Sequence, residues 1–509
     1  MTSHLLSLLL TATSLGIILL LSRLLWSYLT SPIRDIPGPF LAKLTDLWRL
    51  YSHWAGTHIE TQRKLHEKYG SAVRIGPNCV SISDPSLITT IYDTRGDFVK
   101  SDLYRVTDAV QDGQTVESVF STRSNDFHSK YIKPIHKFYV MNSILKIEHF
   151  VDRTLESLCE HIEERFIERL NTGKLFDIAD WIHLYTWDVM SELTFSKKMG
   201  FLETGGDVED AIATNKFLMR YFALVGQVPT LDKWLAKNPI LPFKLPTFSG
   251  AASLCAQRMF ERVQNPALAT HDDFLNRFLQ AKVDYPDFVG DNDVVAYLML
   301  HLLGGADTTA IILNALIYHL LRNPAAHSRL VSELTTARLP YPAPYAAASR
   351  LPYLTAVISE AIRIHPSIGN ILERVVPPAG LELRDGRKIA PGTLVGVNAW
   401  TVARSKEVYG KDVDTFRPER WLQAEEEGVE SYDSRVKGMR QAELAFGAGR
   451  RACMGKPFAM VELYKVVATL FGRFEIELEG PKTEWRVLKL FFVFPSGIMV
   501  RMRRAANGT

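Results

Sequence analysis

Cysteine is scarce in this chain. Four occur in 509 residues, Cys79, Cys159, Cys255 and Cys453, and no two form a C-x-x-C pair. That spacing excludes a compact zinc site or a redox dithiol, and the low density excludes a secreted disulfide framework. The thiols are therefore expected to be free, in a reducing compartment, with one of them available as a ligand. Charge of one sign is missing too: 59 basic against 56 acidic side chains leave a net +3. Without a clustered basic stripe there is no case for nucleic acid as a partner. Internal repeats and low-complexity linkers are also lacking. What remains, 47% hydrophobic and 23% charged residues, is ample for one large core.

The N-terminus carries the one long uncharged run. Leu5 to Ser22 reads LLSLLLTATSLGIILLLS and continues through Arg23 to Tyr28. A bilayer core of roughly 30 Å needs about 20 helical residues, and Arg23 near the end can snorkel to the headgroups. The run is long for a signal-peptide core and no A-x-A-like cleavage site follows it. Residues 1–30 are therefore expected to form a single-pass membrane anchor. Arg23, Arg34, Lys43 and Arg49 follow the span with few charges before it, which puts the rest of the chain in the cytosol; the expected location is the endoplasmic reticulum membrane. Pro32 and Ile36-Pro37-Gly38-Pro39 make residues 31–39 a stiff Pro-rich hinge. Residues 40–509 then read as one catalytic domain with a short tail.

Helical periodicity dominates that domain, as in Leu155 to Leu170. Strand-like pieces appear at Ala72–Ile75, Cys79–Ile82, Leu394–Asn398 and Phe474–Leu478. Leu488–Phe494 and Ile498–Met502 flank Pro495-Ser496-Gly497 and predict a hairpin. The fold class is mainly α with small β-sheets (α+β). Asp291 to Arg322 is apolar nearly all round, with Asp291 or Asp293 to cap it and Asn323-Pro324 to stop it. It predicts a buried central helix about 48 Å long.

The most informative stretch is Phe446-Gly447-Ala448-Gly449-Arg450-Arg451-Ala452-Cys453-Met454-Gly455. Its glycines allow a tight turn and close approach to a flat group. A cysteine ending such a loop, just before a helix over Lys456–Phe471, sits near helix-end and arginine charge, both of which favour thiolate. A thiolate is the axial ligand that pushes electron density into haem iron. On these residues alone an inert buried cysteine is the stronger reading. Gly447-x-Gly449-x-x-Ala452 also imitates a dinucleotide fingerprint. The strand before it would be only Glu443–Phe446, and no second mononucleotide half fits in the residues that follow.

Two further motifs stand out. Glu360 and Arg363 share a helix face among apolar neighbours, an arrangement common in surface ion pairs but here pointing to burial. Gly304-Gly305-Ala306-Asp307-Thr308-Thr309 interrupts the long helix, at a cost of roughly 1 kcal/mol per glycine. An acid beside a hydroxyl suits a proton relay; a hydroxyl bonded back to its own helix is the plainer alternative.

Taken together these motifs resemble the cytochrome P-450 superfamily. The haem signature F-x-x-G-x-R-x-C-x-G is matched at Phe446, Gly449, Arg451, Cys453 and Gly455, five fixed positions in ten residues. The resemblance implies the fold of that family, a b-type haem ligated by Cys453, Phe446 packed beside the sulfur, and Arg451 and Arg374 on the propionates. It extends Glu360 and Arg363 to Arg420, in Phe416-Arg417-Pro418-Glu419-Arg420-Trp421, as a structural ion network. It makes Asp307 and Thr308 the acid–alcohol pair of oxygen activation. Leu351-Pro352-Tyr353-Leu354 and Arg363-Ile364-His365-Pro366 add to it, and the motifs cover nearly the whole globular region in family order. One departure concerns W-x-x-x-R, which crosses the propionates in the family. Here the stretch is Asp126-Phe127-His128-Ser129-Lys130-Tyr131-Ile132-Lys133, leaving His128, Lys130 and Lys133 as candidates.

The resemblance also implies a monooxygenase placing one oxygen atom from O2 into a lipophilic small molecule. No flavin or ferredoxin domain fits in the chain, so electrons come from an NADPH-dependent flavoprotein reductase. A face carrying Lys130, Lys133, Lys137, Arg450 and Lys456 suits an acidic partner. The family analogy draws the substrate pocket from Ser101–Phe120, Phe217–Phe248, Leu303–Thr308, Ile368–Leu372 and Phe491–Phe494. Tyr185 to Phe195, YTWDVMSELTF, is similar to fungal members near the pisatin demethylase and benzoate hydroxylase groups, which implies secondary metabolism. Two rivals share the haem: a reductase-independent isomerase or dehydratase, against which the Asp307–Thr308 pair argues, and a non-enzymatic haem carrier or sensor.

Overall fold

An apolar surface on all sides forces a helix into the middle of a domain, and Asp291–Leu321 lies there. In a computed structural model of the chain, residues 2–111, 114–168, 173–240, 247–265, 267, 272–480 and 484–505 are described. In chain order, the helices that position the site are α1 (Thr2–Leu29), α2 (Asn125–His136), α3 (Ile178–Phe195), α4 (Ala211–Val225), α5 (Asp291–Leu321), α6 (Pro352–Ile364) and α7 (Lys456–Arg473). The Asp293 carboxylate accepts the Gly290 N–H at 2.8 Å and starts α5. Asn323 stops it and caps the next helix, accepting the Ala326 N–H at 3.2 Å. α3 packs along α5 and is buried through almost its whole length. The 3.6-residue pattern from Leu155 belongs to the helix Glu148–Ile162, which ends in a π turn, Glu163–Ile167; Leu170 lies outside the described residues.

Four strands form the main sheet: β1 (Ala72–Gly76), β2 (Cys79–Ile82), β3 (Arg374–Val375) and β4 (Leu394–Val397), in the order β1-β2-β4-β3. β1 and β2 are antiparallel, β2 and β4 parallel, and Arg374 lies opposite Val395. The first four predicted strands fall within a residue of their observed ends. The predicted hairpin about Pro495-Ser496-Gly497 does not form. Val493–Ser496 instead folds back on Arg486–Lys489, and Met499–Arg504 joins Phe474–Leu478 in another sheet. The chain changes sheets at Gly497, whose φ is +75°, where Asp177 accepts the N–H groups of Gly497 and Ile498 at 2.7 and 2.8 Å.

α1 is 28 residues long, about 42 Å, and exposes Leu6, Leu10, Leu15, Ile18, Leu19, Leu25 and Trp26. Among the described residues α5 has the length and apolarity of a span, but it lies in the protein core. The Pro-rich segment after α1 is fastened to the domain. Ile33 and Ile36 are buried, and the Arg74 N–H donates to Pro37 O at 2.7 Å. A side chain at Gly38 would meet the Arg74 carbonyl at 2.1 Å. Rigid φ and two buried isoleucines thus dock residues 31–39 against β1.

Candidate active site

Glycine shapes the cysteine loop. Gly449 has φ +61°, and an added Cβ would lie 1.8 Å from Tyr92 O and 2.6 Å from Asp93 O, so only glycine fits. Gly449–Arg451 makes a single 3-10 turn, and the Cys453 N–H closes the loop on Phe446 O at 2.8 Å. Cys453 is the one exposed cysteine of the four. It precedes the first turn of α7, which opens with Lys456-Pro457. Burial of its surroundings pushes the thiol up; the N–H groups of Gly455 and Lys456 and the Lys456 ammonium oppose it. The expectation of arginine assistance is corrected here. Arg450 donates to Arg95 O and Ser129 Oγ, and Arg451 to Ser124 O at 3.1 Å, so both are held by backbone and hydroxyl oxygens elsewhere.

Four basic groups converge beside this loop. Arg374 is buried on β3, stacked 5.0 Å over the Tyr92 ring. Lys100 pairs backbone to backbone with Arg374 in an isolated bridge, and its Nζ donates to Phe120 O at 2.5 Å. Burial, then Arg374 and Arg451, hold the Lys100 ammonium well below the ordinary lysine value. His128, buried on α2, is pushed down to about 3 by burial, Arg451, Lys100 and Arg450, and its Nδ1 has no partner. None of Lys100, Arg374 and Arg451 forms an ion pair among the described residues. Buried cations without carboxylates are costly unless an anion joins them. The cluster therefore fits a ligand edge bearing carboxylates. Lys130 and Lys133 are exposed on the other side of α2.

Across from the loop, α5 is continuous through Gly304 and Gly305. The two glycines differ: a Cβ at 304 would meet nothing within 4 Å, whereas at 305 it would strike Met190 of α3 at 2.5 Å. Gly305 thus serves helix packing. Thr308 Oγ bonds back to Gly304 O at 2.8 Å, the plainer arrangement for a helical threonine. Asp307 is fully buried and turned into α3 and α4, where it accepts from His183 Nε2 at 2.6 Å, Trp187 Nε1 at 3.0 Å and Asn215 Nδ2 at 2.7 Å.

A family model for cytochrome P-450 matches residues 43–502. The chain belongs to the cytochrome P-450 family. It is 35% identical over 500 residues to the cytochrome P-450 monooxygenase cfoH of Aspergillus candidus, covering 97% of this chain and 93% of that one. It is 37% identical over 483 residues to cicH of Emericella nidulans, 94% of each. It is 31% identical over 494 residues to vrtE of Penicillium aethiopicum, 94% of this chain and 92% of that one. All three relatives are named cytochrome P-450 monooxygenases. The chain is an enzyme of the P-450 monooxygenase class, and membership implies thiolate-ligated haem iron.

In this P-450, Glu360, Arg363 and Arg420 meet in the interior. Glu360 accepts from Arg363 at 2.7 and 2.9 Å, Arg420 Nε at 2.9 Å, Trp421 Nε1 at 2.9 Å and the Arg417 N–H at 2.9 Å. Arg363 also donates to Ala403 O and Val413 O, each at 2.8 Å. Every lone pair and guanidinium edge is used, which is how a buried ion network holds loops together.

Four of the five sequence segments assigned to the substrate side meet in one apolar cluster. Tyr104, Phe120 and Phe222 stand mutually edge-on or tilted at 5.8–6.4 Å, and Phe222 lies 4.2 Å from Phe491. Phe492 and Phe494 complete an apolar cluster with Ile311 of α5. Residues 112–113 and 241–246 of those segments lie outside the described residues. On the opposite face Lys130 and Lys133 are exposed, while Lys137 pairs with Asp284 at 2.7 Å and Lys456 with Glu443 at 3.0 Å.

Sequence reasoning missed Lys100 and the three donors on Asp307. Lys100 sits in Phe98-Val99-Lys100-Ser101, which carries no motif; only the pairing with Arg374 reveals it. His183, Trp187 and Asn215 lie 124, 120 and 92 residues from Asp307. Spacing on α3 (183, 187) was the one local signal.

Proposed function

We propose that this P-450 inserts one oxygen atom from O2 into a lipophilic small molecule, with electrons from an NADPH-dependent flavoprotein reductase. The observation that carries the reading is an exposed cysteine, at a loop only glycine can form, beside buried Lys100 and Arg374 and half-buried Arg451, none of them in an ion pair among the described residues. Cys453 is the thiolate ligand, and Phe446 and Gly455 pack beside it. Arg451, Arg374, Lys100 and His128 hold the propionates; Lys130 and Lys133, exposed, do not. The bound haem supplies the iron chemistry that activates dioxygen. The protein's own residues orient and exclude water: the aromatic cluster of Tyr104, Phe120, Phe222 and Phe491 favours an apolar, flat substrate.

Asp307 and Thr308 supply protons to the oxygen site. Thr308 releases Gly304 O and turns its hydroxyl toward the opening at Gly304, and Asp307 replaces the proton that leaves. α1 anchors the enzyme in the endoplasmic reticulum membrane with the catalytic domain cytosolic; its length and exposed leucines support this. Residues 40–509 act as one catalytic unit. A role in fungal secondary metabolism rests on the YTWDVMSELTF resemblance. The basic face at Lys130, Lys133 and Lys137 receives the reductase.

Reconstitution with a reductase tests the reading. Thr308→Ala is expected to keep consuming NADPH and O2 while releasing the reduced oxygen as hydrogen peroxide; full coupling in that variant would remove Thr308 from the relay. Reversal of Lys130, Lys133 and Lys137 to glutamate should slow reduction and flatten its salt dependence. An unchanged rate and slope would dismiss that face as the docking site.

A further inference from the structure

The buried acid has a single titratable neighbour among its hydrogen-bond partners. Asp307 is 0% exposed and accepts from three side chains, of which the Trp187 indole and the Asn215 amide do not exchange protons near neutral pH. The third, His183, has two ring nitrogens and is the one partner that can give a proton at one and take one at the other. Its Nε2 lies 2.6 Å from Asp307 Oδ1, and the residue is 8% exposed. One turn earlier on α3, Asp180 is exposed, and its carboxyl interacts with His183, Lys216 of α4 and Arg486. Phe494 covers the ring at 6.1 Å between centroids. A line of polar groups thus runs from solvent at Asp180 to the interior carboxylate.

We propose that His183 is the positioning residue through which solvent protons reach Asp307, with Trp187 and Asn215 fixing the carboxylate. This rests on the reading of Asp307 and Thr308 as the proton relay. In each transfer the Nε2–H bond breaks as an O–H bond forms at Asp307 Oδ1. The ring takes a replacement proton from water at Nδ1, and rotation of the imidazole restores the starting arrangement. One proton enters from solvent and one leaves toward Thr308, with no change in net charge. Asp307 on α5 is hydrogen-bonded to His183 and Asp180 on its own helix interacts with it, while Lys216 on α4 and Arg486 on the following hairpin act on Asp180.

A merely structural histidine would be replaced by any donor that satisfies Asp307. Glutamine is such a donor and cannot carry a proton. The haem-loaded enzyme, with excess reductase and NADPH and no added substrate, gives the readouts: oxygen consumed, peroxide released per NADPH, and the solvent deuterium isotope effect. His183→Gln is expected to lower the proton-limited rate at least about tenfold, raise the peroxide fraction and enlarge the isotope effect. Millimolar imidazole should restore part of the rate in His183→Gly. A His183→Gln enzyme with the parent's rate, isotope effect and pH profile overturns the proposal. Asp180→Asn, at the exposed end, leaves the buried contacts intact and is expected to shift the pH profile; an unshifted profile also counts against it. Thr308→Ala separates the levels. If it stays coupled, the relay reading fails. If it uncouples beside a parent-like His183→Gln, only the role of His183 fails.

Discussion

Lys100→Met separates a ligand-binding lysine from one that only fills space. In the folded chain the ammonium is buried, stands 4.2 Å over the Tyr104 ring and 4.5 Å over Phe120, and faces Arg374 and Arg451. Burial and both guanidiniums oppose its charge. Methionine keeps most of the stem and removes that charge, losing one hydrogen bond to Phe120 O worth about 1 kcal/mol. The haem-free protein should therefore be no less stable than its parent, by urea unfolding. The haem-loaded protein should lose a charge-assisted bond to a propionate, about 1.5–3 kcal/mol. That corresponds to haem loss roughly 10- to 100-fold faster, followed as transfer to excess apomyoglobin. The reasoning is refuted if haem leaves at the parental rate while the haem-free form is destabilised. Lys100 would then be a core residue with a satisfied head group.

Three other outcomes follow from the same geometry. Gly449→Ala should abolish haem loading, because its methyl would enter the Tyr92 carbonyl at 1.8 Å; the haem content per purified chain measures it. Glu360→Ala should destabilise by about 3–5 kcal/mol, since it strands Arg363 and Arg420 in the interior, and denaturant midpoints report the loss. His301 and His365 are pushed down to about 3 by burial, below the unfolded value. The unfolded chain then binds more protons between about pH 3 and 6.5, so stability is intact above that window and falls as the pH drops through it. Each contributes a slope of up to about 1.4 kcal/mol per pH unit, and His301→Phe should remove one of them in unfolding measured at pH 7 and 5.

Much of the architecture was legible because it rests on local signals. The apolar run Asp291–Arg322, the strands near Ala72 and Cys79, and the Gly-rich turn before Cys453 each encode their shape in one contiguous stretch. The hairpin failed for the opposite reason. Leu488–Phe494 and Ile498–Met502 flank a Pro/Gly turn as hairpin strands should, but the chain is turned from one sheet to another at Gly497 by Asp177, more than 300 residues away. The site shows the same division. Cys453, Glu360 and Arg363 lie in contiguous motifs, whereas Lys100 is defined only by what folds beside it. Asp307 was visible as an acid on a helix; that it faces α3 and α4 is a matter of helix rotation, which Gly305 against Met190 helps to set. The glycine pair looked like one opening and proved to be one opening and one packing contact.

The sulfur at Cys453 carries the whole account, and its carbon monoxide spectrum tests it. The reduced, carbonylated enzyme should show the strongly red-shifted Soret band of a thiolate ligand, and Cys453→Ser should lose that band and all NADPH-dependent oxygenation. A serine variant that keeps both the band and the activity would contradict the assignment outright.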